Sequence, residues 1–336
     1  MFRVAILSFW HVHAQDYARE IETHPETEIA AIWDEDPERG REEAGRHGVP
    51  FEEDLDELLI HGDLDGVVVT TPTTAHREVI LAAARAGKHV FTEKVLAPTL
   101  REAEEIVSEV ERASTTLVVS LPRLYTGYTE AIEETLSRGE IGEVTYLRVR
   151  VSHDGGLPTD ENPRGWLPDR FFDPEESVGG VAIDFGAHPL YLISHLLGIP
   201  EQVSSAYGSF TGRIVEDNSV VAFRYPEGVL GVAEASFVGS SVPFVVEAHG
   251  TEGSLLYNPD AGLRLRRAAA ERWETVAIPP DGASPFGRWV HLASRGEPYP
   301  QNVRTALQLN ALAEAANLSA QKGGPVRPTP PRLDWS

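Results

Sequence analysis

Lysine is nearly absent from this chain. It stands only at Lys88, Lys94 and Lys322, and arginine takes the other cationic positions. A lysine kept at position 94, directly beside Glu93, points to a site needing a compact ammonium that can donate a hydrogen bond and shift its pKa. The plainer reading is a surface ion pair. Further on, the glycine pair Gly179 and Gly180 opens a run in which Asp184 and His188 stand four apart, a spacing that puts both on one face of a helix. Such a carboxylate can hold an imidazole in one orientation and tune it for proton transfer near neutral pH. A third group, His11 and His13, forms an H-x-H pair of the kind that opens the metal site of a barrel hydrolase. Asp34 follows a β-rich run about 20 residues after the first, where a ribose-binding carboxylate belongs.

These residues need strands and helices to hold them. Up to residue 121 short β-rich runs (3–7, 28–33, 66–69, 89–92 and 116–120) alternate with helical patterns at 14–23, 38–44, 74–86 and 99–112. The last opens with Thr99 and Glu102 in capping-box spacing. Such alternation predicts an α/β fold, a doubly wound parallel sheet. In such a sheet ligands bind beyond the carboxyl ends of the strands, so Ser8 to His13, Asp34 to Asp36, Thr70 to His76 and Glu93 to Val95 become the candidate site. After residue 121 a helix at 128–138 and a strand at 144–152 precede a long polar loop. A helix from about Val181 to Leu197 then leads into successive strands at 203–210, 219–225, 229–237 and 244–248. Strands without intervening helices predict a large, mostly antiparallel sheet. A late helix spans 302–320, and the proline-rich tail from Gly323 reads as a strap packing back on the first domain. The expected division is 1–121 for a dinucleotide-binding domain and 122–336 for a substrate-binding and oligomerisation domain.

Composition narrows the function. At 336 residues the chain exceeds one typical domain, and 41% apolar with 24% charged residues is ordinary for a globular protein. A net charge of −23 disfavours nucleic-acid and anionic-membrane partners. Zero cysteines exclude disulfides, thiolate metal sites and a cysteine nucleophile. With neither a leader pattern nor a long apolar stretch, the cytoplasm is the expected location.

The order of motifs resembles the Gfo/Idh/MocA oxidoreductases, the glucose-fructose oxidoreductase and inositol dehydrogenase group. Thr71, Pro72, Thr73 with His76, and Ala86 to Lys94, resemble that family's "tPt..H" and "aGKHV..EKP" segments; Ser137 to Val144 resembles its "sGeiGev" junction, Gly179 to His188 its "GGG.l.D.G.H" helix, and His249 to Ser254 its "GteGs" turn. The resemblance implies a Rossmann domain followed by an α/β domain with a large open sheet, and nicotinamide-dependent chemistry at a carbinol carbon of a sugar, sugar derivative or cyclic polyol. It carries catalytic roles onto Lys94 and His188, with Asp184 as companion, and implies a homodimer or homotetramer. The cofactor would contact Ser8, Phe9, Trp10, His11, Val12, Asp34, Thr70, Thr71, Pro72, His76, Glu93 and Lys94. NAD is expected over NADP, because Asp34, Glu35 and Asp36 would repel a 2′-phosphate. Arg123, Arg164, Trp166 and Tyr191 are the expected contacts of a small carbohydrate-like substrate, and no metal ligand is assigned.

Three departures stand out. Ser8, Trp10 and His13 replace the glycine fingerprint, so the pyrophosphate would depend on helix N-terminal amides and His11. Val95 replaces the proline of EKP, and Tyr191 stands where many relatives carry an aspartate. They leave a non-catalytic or cofactor-retaining relative as one alternative. A metal-dependent hydrolase built on His11 and His13 is the other; it would need eight β-α units.

Overall fold

The apolar runs at the start of the chain become the five strands of one parallel sheet. In the computed structural model, which describes residues 1–61 and 63–332, β1 (Phe2–Leu7), β2 (Thr27–Trp33), β3 (Gly66–Val69), β4 (His89–Thr92) and β5 (Leu117–Val119) lie in the order β2-β1-β3-β4-β5. Every neighbouring pair is parallel. All of β3 and the last four residues of β1 are buried, as strands covered on both faces must be. The connecting helices are α1 (Ala14–Thr23), α2 (Pro37–His47), α3 (Leu55–His61), α4 (His76–Arg85) and α5 (Leu100–Arg112).

Local chemistry sets the helix starts. Thr99 Oγ1 accepts the Glu102 N–H at 3.2 Å while the Glu102 carboxylate accepts the Thr99 N–H at 3.1 Å, closing the expected capping box. Asp36 caps α2, Pro37 opens it, and Gly48 ends it in the left-handed conformation. Helix α4 begins at His76, two residues later than expected, because Thr73–Ala75 forms a 3₁₀ turn. The sequence reading omits α3, whose seven residues are too few to show a helical period. Because β1 lies between β2 and β3, the winding direction reverses there, and the carboxyl ends of β1 and β3 flank the switch point of the sheet.

The second sheet is built by α6 (Gly127–Ser137), β6 (Val144–Ser152), α7 (Pro174–Ser177), α8 (Ala187–Leu197), β7 (Gln202–Gly208), β8 (Asn218–Arg224), β9 (Leu230–Ser236), β10 (Phe244–Gly250), β11 (Gly253–Asn258), β12 (Gly262–Arg267) and β13 (Glu274–Val276). Its eight strands run β13-β12-β11-β10-β6-β9-β8-β7. All pairs are antiparallel except β6 with β9, and α8 packs on both of those strands. Strands β11 to β13 lie beyond those expected; in β12, Leu263 and Leu265 are buried while the half-buried Arg264 and exposed Arg266 take the other face, a period-2 pattern partly masked by its arginines.

The helix expected from Val181 starts at Ala187. Pro189 explains the difference. A proline has no N–H and its ring clashes with the carbonyl four residues back, so it is tolerated only in a first turn, and residues 181–186 form turns instead. Asp184 therefore lies ahead of the helix and does not share a helix face with His188.

Two compact units result: Met1–Ser120 with Ala283–Leu307 and Arg332, and Leu121–Gly282 with Gln308–Pro331. Ala283–Leu307 groups with the first unit because α9 (Pro285–Ala293) buries Phe286, Trp289 and Val290 in the core around Val4, Ile6, Val68 and Phe91. The long α10 (Pro300–Lys322) begins in the first unit and ends in the second. Beyond it, Val326 exchanges two 2.8 Å backbone hydrogen bonds with Val203, and the Arg332 N–H donates to Glu104. Among the described residues no helix is long and apolar enough to cross a membrane.

Candidate active site

In the first unit the site grows from the strand tips. Ser8 ends β1 with φ at 83°, the left-handed conformation for which glycine is the default residue. Its hydroxyl accepts the Trp10 N–H at 3.0 Å and donates to Glu35 at 3.0 Å. Asp34, buried at the end of β2, accepts the Phe9 N–H at 2.8 Å and the Asp36 N–H at 2.9 Å. Arg39 grips the same carboxylate at 2.6 and 2.9 Å and reaches Glu35 at 2.7 Å. Gly40 permits this packing: a Cβ there would lie 2.7 Å from the Asp34 Cβ and 2.3 Å from the Phe51 ring. Burial first, and then the Asp34 charge, raises the Glu35 carboxyl. Arg41 turns away to Glu53.

The loop after β1 is filled by side chains where a glycine fingerprint would leave bare backbone. Trp10 and His11 are buried, and His11 Nδ1 accepts the His13 N–H at 3.2 Å. At the next tip, Thr70 Oγ1 donates to the Ser8 carbonyl, and the His11 N–H donates to the Thr70 carbonyl. Thr71 Oγ1 is buried with no protein partner among the described residues. His76 is buried between two carbonyls, Val95 at 3.0 Å from Nδ1 and Thr71 at 3.2 Å from Nε2. Protonation would satisfy both, but burial dominates and pulls its pKa down to about 4. His76 thus ties the β3 tip to the segment after β4.

Glu93, at the β4 tip, is 1% exposed. It accepts hydrogen bonds from the Tyr17 hydroxyl, from His13 Nδ1 at 3.0 Å and from the Lys94 N–H at 3.1 Å, and His11 Nδ1 stands 3.8 Å away. Burial alone would raise this carboxyl. His11, then His13 and Lys94, outweigh burial and hold it well below the usual range. Lys94 is 5% exposed, too buried for the surface ion pair, and the Lys94–Val95 peptide is cis.

The second unit holds the other candidates. His188, the second residue of α8, is buried, with Nδ1 2.9 Å from the Tyr191 hydroxyl. Tyr191 is fully buried and its oxygen also accepts the Arg123 N–H at 3.1 Å, so it anchors His188 to the chain after β5. Arg123 lays its guanidinium 4.1 Å over the Phe244 ring. Arg164 pairs with Asp169 at 2.8 Å, and Trp166, 53% exposed, donates its indole N–H to Asp154. Gly180 meets a spatial demand, since a Cβ there would fall 2.0 Å from the Glu216 carbonyl oxygen.

One neighbour escaped the sequence reading. His153, just past β6, packs its ring 4.7 Å from Phe185, 4.8 Å from Trp166 and 4.9 Å from Phe237. Burial lowers its pKa, and the Asp184 charge opposes that fall. Asp184 thus acts on His153. A histidine at a strand end followed by Asp154 and a glycine pair was the available signal.

Residues 2–121 match the family model described as oxidoreductase family, NAD-binding Rossmann fold, and residues 129–256 match the GFO/IDH/MocA C-terminal domain. A 1,5-anhydro-D-fructose reductase from Ensifer adhaerens is 31% identical over 254 residues, 73% of this chain and 74% of that protein. A myo-inositol 2-dehydrogenase from Thermotoga maritima is 27% identical over 217 residues, 62% of this chain and 60% of that one. A levoglucosan dehydrogenase solved with NADH and L-sorbose superposes with a TM-score of 0.80 at 20% identity, covering 98% of this chain and 99% of that chain, a likeness of fold. The barrel that a hydrolase at His11 and His13 would need is replaced by an open five-stranded sheet and an eight-stranded one. With both of its domain models matched in order and a relative above 30% identity across most of its length, this chain belongs to the Gfo/Idh/MocA family of oxidoreductases.

Proposed function

We propose that this protein is an NAD-dependent oxidoreductase that moves hydride between nicotinamide and a carbinol carbon of a sugar, sugar derivative or cyclic polyol. The names of its relatives, a sugar reductase and an inositol dehydrogenase, supply the substrate class. The observation that carries the reading is the buried Lys94 beside an ionised Glu93 at a strand tip of an NAD-binding Rossmann domain.

The residues fit a dinucleotide at both ends. Ser8 supplies the left-handed turn, Asp34 lies at the end of β2, and the unpartnered Thr71 hydroxyl marks a polar place at the β3 tip. In between, the pyrophosphate meets His11 and the start of α1 in place of glycine amides. Three carboxylates, Asp34, Glu35 and Asp36, face the single cation of Arg39, so a 2′-phosphate would meet net negative charge. This favours NAD.

When bound, nicotinamide supplies the hydride acceptor. Lys94 then donates a hydrogen bond to the substrate oxygen and stabilises developing alkoxide charge. His188 takes the hydroxyl proton on Nε2 when its Nδ1–H is given to Tyr191, a tautomer that this contact allows. Asp184 acts through charge, on His153 as well as beside α8. Tyr191 and Arg123 are positioning residues in this scheme, while the exposed Trp166 and Arg164 contact substrate. A panel of sugars and polyols assayed with NAD and NADP, with mass spectrometry of co-purifying nucleotide, tests the reading. Nicotinamide reduction with at least one polyol is expected; no turnover and no bound nucleotide would overturn it.

A further inference from the structure

We infer that His11, His13 and Glu93 form a binding site for one divalent transition-metal ion of the zinc or cobalt type. The site shares His11 and Glu93 with the proposed cofactor contacts, and its test is made on nucleotide-free protein so that the two readings fail separately. One ligand atom from each residue lies within 4.8 Å of the others. His13 Nδ1 is 3.0 Å and His11 Nδ1 is 3.8 Å from the same Glu93 oxygen. Tetrahedral coordination with bonds of about 2.05 Å spaces its donors about 3.3 Å apart. The two observed separations bracket that value, so these two donor pairs need shifts of only about 0.3 to 0.5 Å to reach it, and the third pair lies within 4.8 Å.

The donor set suits the ion. Two imidazoles with one carboxylate match zinc-like metals, whereas hard cations such as magnesium prefer oxygen alone. The Lys94 charge acts on Glu93 and opposes any cation, so binding rests on the two imidazoles. Glu93 is steadied by the Tyr17 hydroxyl and the Lys94 N–H, the outer hydrogen bonds that orient a ligating carboxylate. His11 and His13 share one short loop fixed between β1 and α1, and Glu93 ends β4 of the same sheet, so the ligands are held by rigid elements. The His13 side chain is 43% exposed and gives an entry path. Coordination at His11 Nδ1 would replace its hydrogen bond from the His13 N–H, one lost hydrogen bond set against a metal–nitrogen bond. Three protein ligands leave a fourth position for water. The H-x-H pair thus serves a metal without the barrel or the hydrolysis first attached to it.

The test uses the full-length, untagged, nucleotide-free protein after dialysis against a chelator. Calorimetric titration with Zn²⁺ is expected to show one equivalent, retained on gel filtration and found by elemental analysis. Co²⁺ is expected to give the intense visible bands of tetrahedral nitrogen and oxygen ligation, unchanged by excess Mg²⁺. His13→Ala should weaken this binding by about 10²-fold or more, and Tyr17→Phe by about tenfold, with circular dichroism confirming the fold. If His13→Ala does not fold, His13→Gln is scored by the same criterion. Wild-type protein that retains no metal, or His13→Ala and His13→Gln that bind as tightly as wild type, would overturn the inference, since the remaining histidines would then be gathering the ion.

Discussion

Glu93 and His188 are both almost fully buried, at 1% and 6% exposure, yet they are kept by different means. Glu93 follows β4, an interior strand of the parallel sheet, where α1 brings up Tyr17, the loop after β1 brings up His11 and His13, and Lys94 follows directly. His188 sits in the first turn of a helix, with the neutral Tyr191 hydroxyl on one nitrogen and Phe185 edge-on at 5.6 Å. Parallel strands converge polar groups from distant parts of the sequence at one edge, so charge can be matched by charge. A helix start offers few such neighbours, and there position does more than charge.

The strongest way to break this comparison is to remove both candidate groups. Lys94→Met should lower turnover by about 10²-fold or more by deleting the alkoxide donor. Lys94→Arg should not restore it, because a planar fork does not fit a point-charge site. His188→Asn should lose roughly 10²- to 10⁴-fold, with the deficit shrinking at high pH and nucleotide affinity little changed. Steady-state kinetics on the true substrate decide the matter; near-normal rates in both variants would move the non-catalytic alternative forward.

His76 sharpens the comparison from the charged side. Its folded-state pKa of about 4 lies below the unfolded value, so the unfolded chain binds the extra proton between these two values. Its contribution is fully present above about pH 6.5 and is lost as pH falls toward 4, about 3 kcal/mol in all. Denaturant unfolding across that range should show the loss, and His76→Gln should flatten it; a slope unchanged by the substitution would contradict this account.

Cofactor choice probes the Asp34 and Arg39 pairing. Catalytic efficiency should be about tenfold higher with NAD than with NADP, as expected for about 1 kcal/mol of repulsion. Higher efficiency with NADP would show that Arg39 leaves its carboxylates to take the phosphate. The smallest effect concerns the surface. Raising salt from about 0.1 M to about 1 M shortens the screening length from about 10 to 3 Å, and a chain of charge −23 should melt a few degrees higher. The buried centres should not respond, so the fold-loss in Lys94→Met should be the same at both salt concentrations.

The first unit was largely legible because its signals are local. The run Gly66–Val69 and the Thr99 capping box each fix an element within a few residues. Lys94 was visible because lysine is rare here. What escaped depends on contacts far apart in sequence: His76, expected at the cofactor, also clamps two carbonyls, and Tyr191, expected at substrate, also anchors His188. The Asp184 and His188 spacing misled because it assumed a helix that Pro189 does not permit. No local pattern could reveal that Glu93 sits among two histidines from the first loop.

The single parallel pairing in the eight-stranded sheet bears on how the chain reaches its structure. β6 faces β9, with Tyr146 opposite Leu230, and β10, with Val149 opposite Val246. Both partners emerge long after β6 has been made. During synthesis this strand waits through α8, β7 and β8 with two unsatisfied edges, and closing such distant pairings is slow. Chains halted before residue 244 would lack β10 and leave that edge of β6 unpaired, and a strand waiting in that state is open to aggregation. The order of the strands therefore makes the second unit the slow and vulnerable step of folding.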